Sequence, residues 1–129
     1  RIKIGDFCLM ETFERRALLA CAPNPAAHRD YIVSLTGQLP AIAVKIHYVP
    51  DREIIIRESL TRYLDAIHRI GWSEIERIGV TVMEDFFDVS IARWTLVTLQ
   101  QTDGDTTIEF MAEDRQPDWN NTRLLERLR

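Results

Sequence analysis

Two glutamates, Glu74 and Glu76, are the side chains of this sequence best suited to hold a ligand. A carboxylate accepts several hydrogen bonds, so a buried glutamate can fix the orientation of a molecule that presents adjacent N–H groups. The alternative is a solvated turn that carries two carboxylates. We take the two glutamates as the candidate ligand-binding residues, and no residue is assigned a catalytic role from its type and spacing alone.

A second acidic group surrounds the pair Phe86-Phe87 and consists of Glu84, Asp85 and Asp88. Neighbouring carboxylates can perform acid–base chemistry or hold a cation. A turn between two strands explains the same three residues more simply, and we interpret them in that way.

The cysteines and histidines do not form a metal-binding pattern. Cys8 and Cys21 each lie among apolar neighbours, which is typical of buried free thiols. His28, His47 and His68 are far apart and match no zinc-ligand spacing, so we expect no metal site. Two free thiols fit a reducing compartment, and we expect a cytoplasmic protein.

The length and composition are those of one globular domain. The chain has 129 residues, 46% of them hydrophobic, and we expect a single domain over 1–129. The formal net charge of −4 argues against nucleic-acid binding, which needs a basic surface. No apolar run is long enough for a membrane helix. Arg57, Arg62 and Arg69 are expected on a solvated helix face.

The clearest elements are a strand hairpin and the helix that follows it. Residues 41–49 alternate between apolar and polar side chains, which predicts a strand with one buried face. A strand at 31–35 and a Gly-containing link at 36–40 complete an antiparallel hairpin. Residues 59–70 have helical apolar spacing, and Gly71 is a helix-stop signal.

The second half of the chain is predicted to consist mainly of strands, with no second long helix before Gly79. Both alternating rows of the 89–99 segment are fully or mostly apolar, which favours burial on both faces or at an interface. The fold class is therefore α+β, an antiparallel sheet with helices packed on one face. The remaining elements are predicted as strands at 2–13, 79–84 and 106–111, helix-forming residues at 14–22, a turn at 86–88 and a terminal helix at 119–128.

A series of short motifs resembles the nitrile reductases of queuosine biosynthesis, the QueF type. The resemblance covers roughly residues 23–71 and rests on Asn24-Pro25, His28-Arg29-Asp30-Tyr31, Thr36-Gly37-Gln38, Tyr48-Val49-Pro50-Asp51, Ser59-Leu60 and Tyr63-Leu64. It implies a tunnelling fold, in which the sheets of several subunits join into a barrel and ligands bind between subunits. It also implies a homo-oligomer and a role in tRNA modification.

The resemblance also implies a reaction, and this sequence lacks residues for it. The family reduces the nitrile of a 7-deazaguanine with NADPH, after a cysteine between the first two strands attacks the nitrile carbon. Here Ser34-Leu35 runs directly into the 36–38 motif, with no cysteine. The family's Glu, Lys and Lys for NADPH correspond to Ile56, Glu58 and Thr61. We therefore expect no cofactor, and NADPH only if the family activity survives.

Three functions follow as hypotheses. The first is a QueF-like protein without nitrile reduction that binds a purine- or pterin-like heterocycle at a subunit interface. There Glu74 or Glu76 would contact the guanidine-like edge of the ligand, since these residues follow Gly71 as the family's glutamate does. The second is a structural or regulatory oligomerisation module. The third is an active NADPH-dependent reductase with a different nucleophile, such as Cys21.

Overall fold

The computed structural model describes residues 12–128, whose centre is a four-stranded antiparallel sheet. The α+β class expected from the sequence is confirmed. In chain order the elements are α1 (Thr12–Arg16), β1 (Cys21–Pro23), β2 (Val33–Leu39), β3 (Ile42–Val49), β4 (Glu53–Ile55), α2 (Arg57–Ile70), α3 (Ile75–Ser90), β5 (Trp94–Asp103), β6 (Thr106–Arg115), α4 (Thr122–Leu125) and a 3₁₀ turn (Glu126–Leu128). The large sheet has the order β2-β3-β5-β6, and β1 pairs with β4 in a small second sheet.

One face of the large sheet packs against α2 and α3 and forms the core. Alternation places Val44 and Ile46 of β3 in this core, while Lys45 between them is exposed. Tyr48 of the same strand contacts Phe86 of α3 edge to face, with ring centroids 4.9 Å apart. The predicted arrangement of helices on one face of an antiparallel sheet follows from this single apolar row.

On the other face of the large sheet, the part that lies away from the C-terminal turns is exposed among residues 12–128. The strand register brings exposed side chains of all four strands onto it, namely Thr36, Gln38, Lys45, Gln100, Glu109 and Met111. We call this surface the open sheet face. A shallow cavity of about 500 Å³ lies on it.

The β2–β3 hairpin differs from its prediction in the position of the turn. Only Pro40 and Ala41 connect the strands, and Ala41 adopts φ 65°, as tight two-residue turns often require. The motif at 36–38, predicted as part of the link, belongs to β2. Gly37 is there for packing, since a Cβ at this position would lie 2.5 Å from Cδ1 of Leu64 on α2.

Helix α3 differs most from its sequence-based prediction. The predicted strand at 79–84, the turn at 86–88 and the absence of a second long helix are all wrong, because one helix spans Ile75–Ser90. The β-branched residues of this segment favour a strand locally. Burial of Ile75, Ile78, Val82 and Phe86 on one face, at three- and four-residue spacing, determines the helix instead.

The other elements shift in their limits. Helix α2 ends as predicted, with Gly71 at φ 86°. The strand predicted at 89–99 begins only at Trp94, β6 extends beyond the predicted 106–111, and the terminal helix is shorter than 119–128. The predicted strand at 2–13 lies outside the described residues, except for Thr12 and Phe13, which are helical. Within 12–128, no helix is both long and apolar enough to span a membrane.

Candidate functional site

A groove between β2 and the first turns of α2 is the candidate site. Its volume is about 340 Å³, and it is lined by residues 34–38 together with Arg57, Leu60, Thr61 and Leu64. Gly37 forms part of its floor because the missing side chain lets α2 approach β2 closely. The groove thus lies between β2, near which the resemblance implies the nucleophile, and α2, where the resemblance implies the cofactor residues.

The three positions implied for cofactor binding are unevenly placed in this groove. Thr61 lines it, whereas Ile56, just before α2, is 37% exposed and does not. Glu58 is exposed in the first turn of α2. The cation that does line the groove is Arg57, which the sequence analysis placed on a solvated helix face. Only the fold reveals this, because Arg57 reaches the groove through contact between α2 and β2.

Glu74 and Glu76 lie at the start of α3. Both are exposed, and neither lines the groove. Glu74 directly precedes the helix and makes no side-chain capping hydrogen bond. Trp72 lies near them in the chain, and the centroid of its ring is 4.3 Å from the guanidinium carbon of Arg77. The two carboxylates remain predicted ligand-binding residues.

Asp85 is the centre of a buried polar cluster, so its interpretation as a turn residue is wrong. Its Oδ2 accepts hydrogen bonds from Nε of Arg15 at 2.5 Å and from the hydroxyl of Tyr63 at 2.5 Å. Its Oδ1 accepts from Nε of Arg16 at 2.7 Å. The hydrogen bond with Asp85 raises the pKa of Arg15, and burial raises the pKa of Tyr63 well above its usual value. The cluster ties α1, α2 and α3 together.

Cys21 is poorly suited to act as a nucleophile. It lies half-buried on β1, where its thiol contacts the carbonyl oxygen of Val89 at 3.8 Å, and it does not line the groove. Burial, with the nearby Glu53 carboxylate, raises the pKa of the thiol above 9.0 and disfavours the reactive thiolate. Cys8 lies outside the described residues.

The three histidines are dispersed in the fold as in the sequence. His28 and His68 are exposed, and His47 is half-buried on β3 with its Nδ1 buried and lacking a hydrogen-bond partner in the described part of the chain. Burial, and then Lys45, lowers the pKa of His47. Within residues 12–128, no group of His, Cys, Asp and Glu side chains is placed to hold a metal ion.

Two aspartates of the recognised motifs have architectural roles. Arg93 donates hydrogen bonds to Asp30 at 2.9 Å and to Asp51 at 3.1 Å. Trp119 and Asn121 donate to the other oxygen of Asp30, each at 3.0 Å. Arg93 precedes β5, and nothing in the sequence pattern indicated its role. The motifs that carry the resemblance therefore hold the loop after β1 against the ends of β3 and β6.

Comparison with known proteins agrees with the resemblance, although no family model matches the chain. A protein of Syntrophus aciditrophicus (strain SB) called NADPH-dependent 7-cyano-7-deazaguanine reductase is 30% identical, over 76% of this chain and 78% of its own length. A protein of the same name from Prochlorococcus marinus (strain NATL2A) is 28% identical, over 59% of this chain and 61% of its own length. On this similarity and the antiparallel α+β fold, the chain belongs to the NADPH-dependent 7-cyano-7-deazaguanine reductase family.

Proposed function

We propose that this protein binds a purine- or pterin-like heterocycle and does not reduce a nitrile. The observation that carries the proposal is the chemistry of the groove between β2 and α2. It holds no thiol and no ammonium group among its lining residues, and Arg57 is its one cation. The protein would thus bind a ligand of the family's class without catalysing the family's reaction.

The nucleophilic step is the first that the groove does not support. A thioimide forms only if a thiolate reaches the nitrile carbon. Ser34 and Thr36 line the groove where the family's cysteine would lie, and a hydroxyl is a weak nucleophile without an adjacent base. Cys21 lies within the described residues, but its thiol contacts Val89 of α3 and does not line the groove.

Hydride transfer from NADPH is the second step that the groove does not support. Binding of NADPH phosphates relies on cationic hydrogen-bond donors. At the positions implied for two lysines, this chain has Glu58 and Thr61. A carboxylate on the first turn of α2 repels phosphate, and Arg57 alone replaces part of the missing charge. We therefore expect no productive NADPH binding.

Glu74 and Glu76 support retention of the ligand. Neither carboxylate has a hydrogen-bond or ion-pair partner among residues 12–128, so both can accept N–H donors from a heterocycle. Exposed carboxylates bind weakly unless water is excluded. A homo-oligomer in which a second subunit covers the start of α3 would supply that exclusion, which is why we place the ligand between subunits.

The second candidate is a structural or regulatory oligomerisation module. It is favoured by the open sheet face, which four strands present without cover and which a partner subunit would bury. This candidate requires assembly but no ligand. A surviving reductase activity ranks third, because the raised pKa of Cys21 disfavours the thiolate that it needs.

Thermal unfolding with and without guanine, 7-cyano-7-deazaguanine, a reduced pterin and NADPH separates these functions. A ligand at 100 times its dissociation constant stabilises by about 2.7 kcal/mol. We expect a rise in the unfolding temperature with at least one heterocycle, and no oxidation of NADPH when 7-cyano-7-deazaguanine is added. Glu74→Gln or Glu76→Gln should weaken that heterocycle about tenfold or more, since a charge-assisted hydrogen bond contributes roughly 1.5–3 kcal/mol.

Glu84→Gln is the matched control, because Glu84 is an exposed carboxylate on the same helix. Its affinity for the heterocycle should equal that of the wild type. No stabilisation by any heterocycle would overturn the proposal and favour the oligomerisation module. Nitrile-dependent oxidation of NADPH that is abolished in Cys21→Ser would favour the reductase.

A further inference from the structure

A second cavity lies between the start of β2 and the C-terminal helical turns. Its volume is about 750 Å³, and three arginines line it: Arg29 from the loop before β2, with Arg123 and Arg127 from the chain end. Ser34 and Asn121 contribute polar atoms, and Leu124 and Leu128 contribute apolar surface. Neither Glu74 nor Glu76 lines it, so this cavity is separate from the two carboxylates proposed for the heterocycle, although Ser34 also lines the groove between β2 and α2.

The three guanidinium groups carry charge that no ion pair within residues 12–128 neutralises. None of them forms an ion pair or a side-chain hydrogen bond with another described residue. Arg123 and Arg127 are four residues apart in consecutive helical turns, a spacing at which like charges repel. The chain has 20 acidic and 16 basic residues, so this cluster of three cations is locally positive on a protein whose net charge is negative.

The acidic residue that lines the cavity does not offset these cations. Asp30 already accepts hydrogen bonds on both carboxylate oxygens, from Arg93 on one and from Trp119 and Asn121 on the other. Arg93, which also pairs with Asp51, offsets part of its charge. An anion entering the cavity would therefore meet three guanidinium groups and one carboxylate whose oxygens already accept hydrogen bonds.

The size and the apolar part of the cavity indicate the class of anion. Guanidinium groups bind phosphate with paired hydrogen bonds, and several of them can surround one dianion. The volume lies within the usual range for small-molecule sites. Leu124 and Leu128 beside the arginines offer a surface for the flat, less polar part of the same ligand.

We propose that this cavity binds a small organic phosphate of nucleotide size, with Arg29, Arg123 and Arg127 on the phosphate and Leu124 and Leu128 against the organic part. The phosphate would relieve the repulsion between Arg123 and Arg127. Ligand binding would also order the C-terminal turns, because two of the three cations belong to them.

Titration calorimetry with adenosine monophosphate, inorganic phosphate, pyrophosphate and unphosphorylated adenosine tests the assignment. We expect saturable binding of the monophosphate, tighter than that of phosphate or adenosine. Arg29→Gln, Arg123→Gln and Arg127→Gln should each weaken it about tenfold. Arg62→Gln is the matched control, since Arg62 is an exposed arginine on α2 away from the cavity, and it should bind as the wild type does.

Amide chemical shifts provide a readout that does not depend on the variants. The monophosphate should shift the resonances of Ile32, Asn121 and Leu124, which line the cavity. Absence of saturable binding by any phosphate would overturn the proposal. Equal weakening by Arg62→Gln, or tighter binding of an oligoribonucleotide than of the mononucleotide, would overturn it as well.

Discussion

The Asp85 side chain is buried in the core, where Arg15 and Arg16 of α1 pair with it and the Tyr63 hydroxyl of α2 donates a hydrogen bond to it. Its side chain has no solvent exposure, whereas Arg15 and Arg16 keep 10% and 28% of theirs. A buried carboxylate is tolerated only when it is paired and hydrogen-bonded. Asp85 therefore determines where α1 attaches to the rest of the molecule.

Asp85→Asn should lower the free energy of unfolding by about 3 kcal/mol, because removing one partner of a buried ion pair leaves the others uncompensated. Chemical denaturation of both proteins measures the difference. Asp88→Asn on the same helix is the control: its carboxylate is half exposed and pairs with Arg16 at 3.0 Å, so the loss should be below about 1 kcal/mol. Equal losses in the two variants would contradict the central role of Asp85.

Asp30 makes stability depend on pH in a definite direction. Burial alone would raise the pKa of this carboxyl, but hydrogen bonds from Asn121, Trp119 and Arg93 lower it below the ordinary 3.8. A lowered folded pKa means that the stabilisation is fully present above the unfolded value and is lost as the pH falls through the folded value.

Asp30→Asn should therefore destabilise the protein by about 2 kcal/mol at neutral pH, from the loss of charge-assisted hydrogen bonds. The difference between the variant and the wild type should shrink as the pH falls below 3.8. Denaturation at a series of pH values measures it. Asp65→Asn, which removes an exposed pair with Arg69, is the control and should show little difference in stability at any pH. A stability difference between Asp30→Asn and the wild type that widens in acid would refute the argument.

Two glycines set the distances between the helices and the large sheet. Gly37 of β2 lies against Leu64 of α2, and Gly79 of α3 lies against the ring of Phe110 on β6. The Gly79 contact is the more restrictive, because a Cβ would overlap the ring carbons Cδ1 and Cε1. A rigid ring between a helix and a strand cannot turn aside as a single methyl group can.

Gly79→Ala should destabilise the protein by about 1–3 kcal/mol, the usual result of overpacking a core, although alanine is the better helix former. In a Phe110→Ala background the same substitution should become neutral or stabilising by up to about 1 kcal/mol, because the ring is gone. Chemical denaturation of the four proteins gives the coupling energy. Additive effects would show that Gly79 is not placed there by Phe110.

The sequence predicted well those elements whose local pattern and tertiary packing agree. The alternation in β3 and the Gly71 stop after α2 are local signals, and both are confirmed. Helix α3 was missed because its β-branched residues favour a strand until the core selects the helix. In the candidate site, Thr61 could be anticipated from motif order, but the position of Arg57 depends on how close α2 approaches β2.

For the whole molecule, the open sheet face has more consequences than any other surface. An antiparallel sheet can leave one face in water, and most of the exposed side chains on this face are polar. Met111 is the exception. Met111 on β6 keeps 61% of its surface exposed on it. In the proposed homo-oligomer, a second subunit would cover the Met111 side chain.

Met111→Lys should therefore lower the oligomer mass measured by light scattering after gel filtration, toward that of the 15.0 kDa chain. A charge in a subunit contact must be desolvated, which weakens association. Val80→Lys, at a 41% exposed position on α3, is the control and should leave the mass unchanged. A wild-type protein that is already monomeric would remove the basis for a site between subunits.

The uninterrupted pairing of β2 with β3 determines where this hairpin can change in length. All seven residues of β2 are matched in register, including Leu35 and Thr36. Inserting a single residue between these two would turn every following side chain of the strand to the opposite face. Leu39 would leave the core and Gln38 would enter it, so we expect the hairpin to accept added residues at the turn of Pro40 and Ala41 but not within β2.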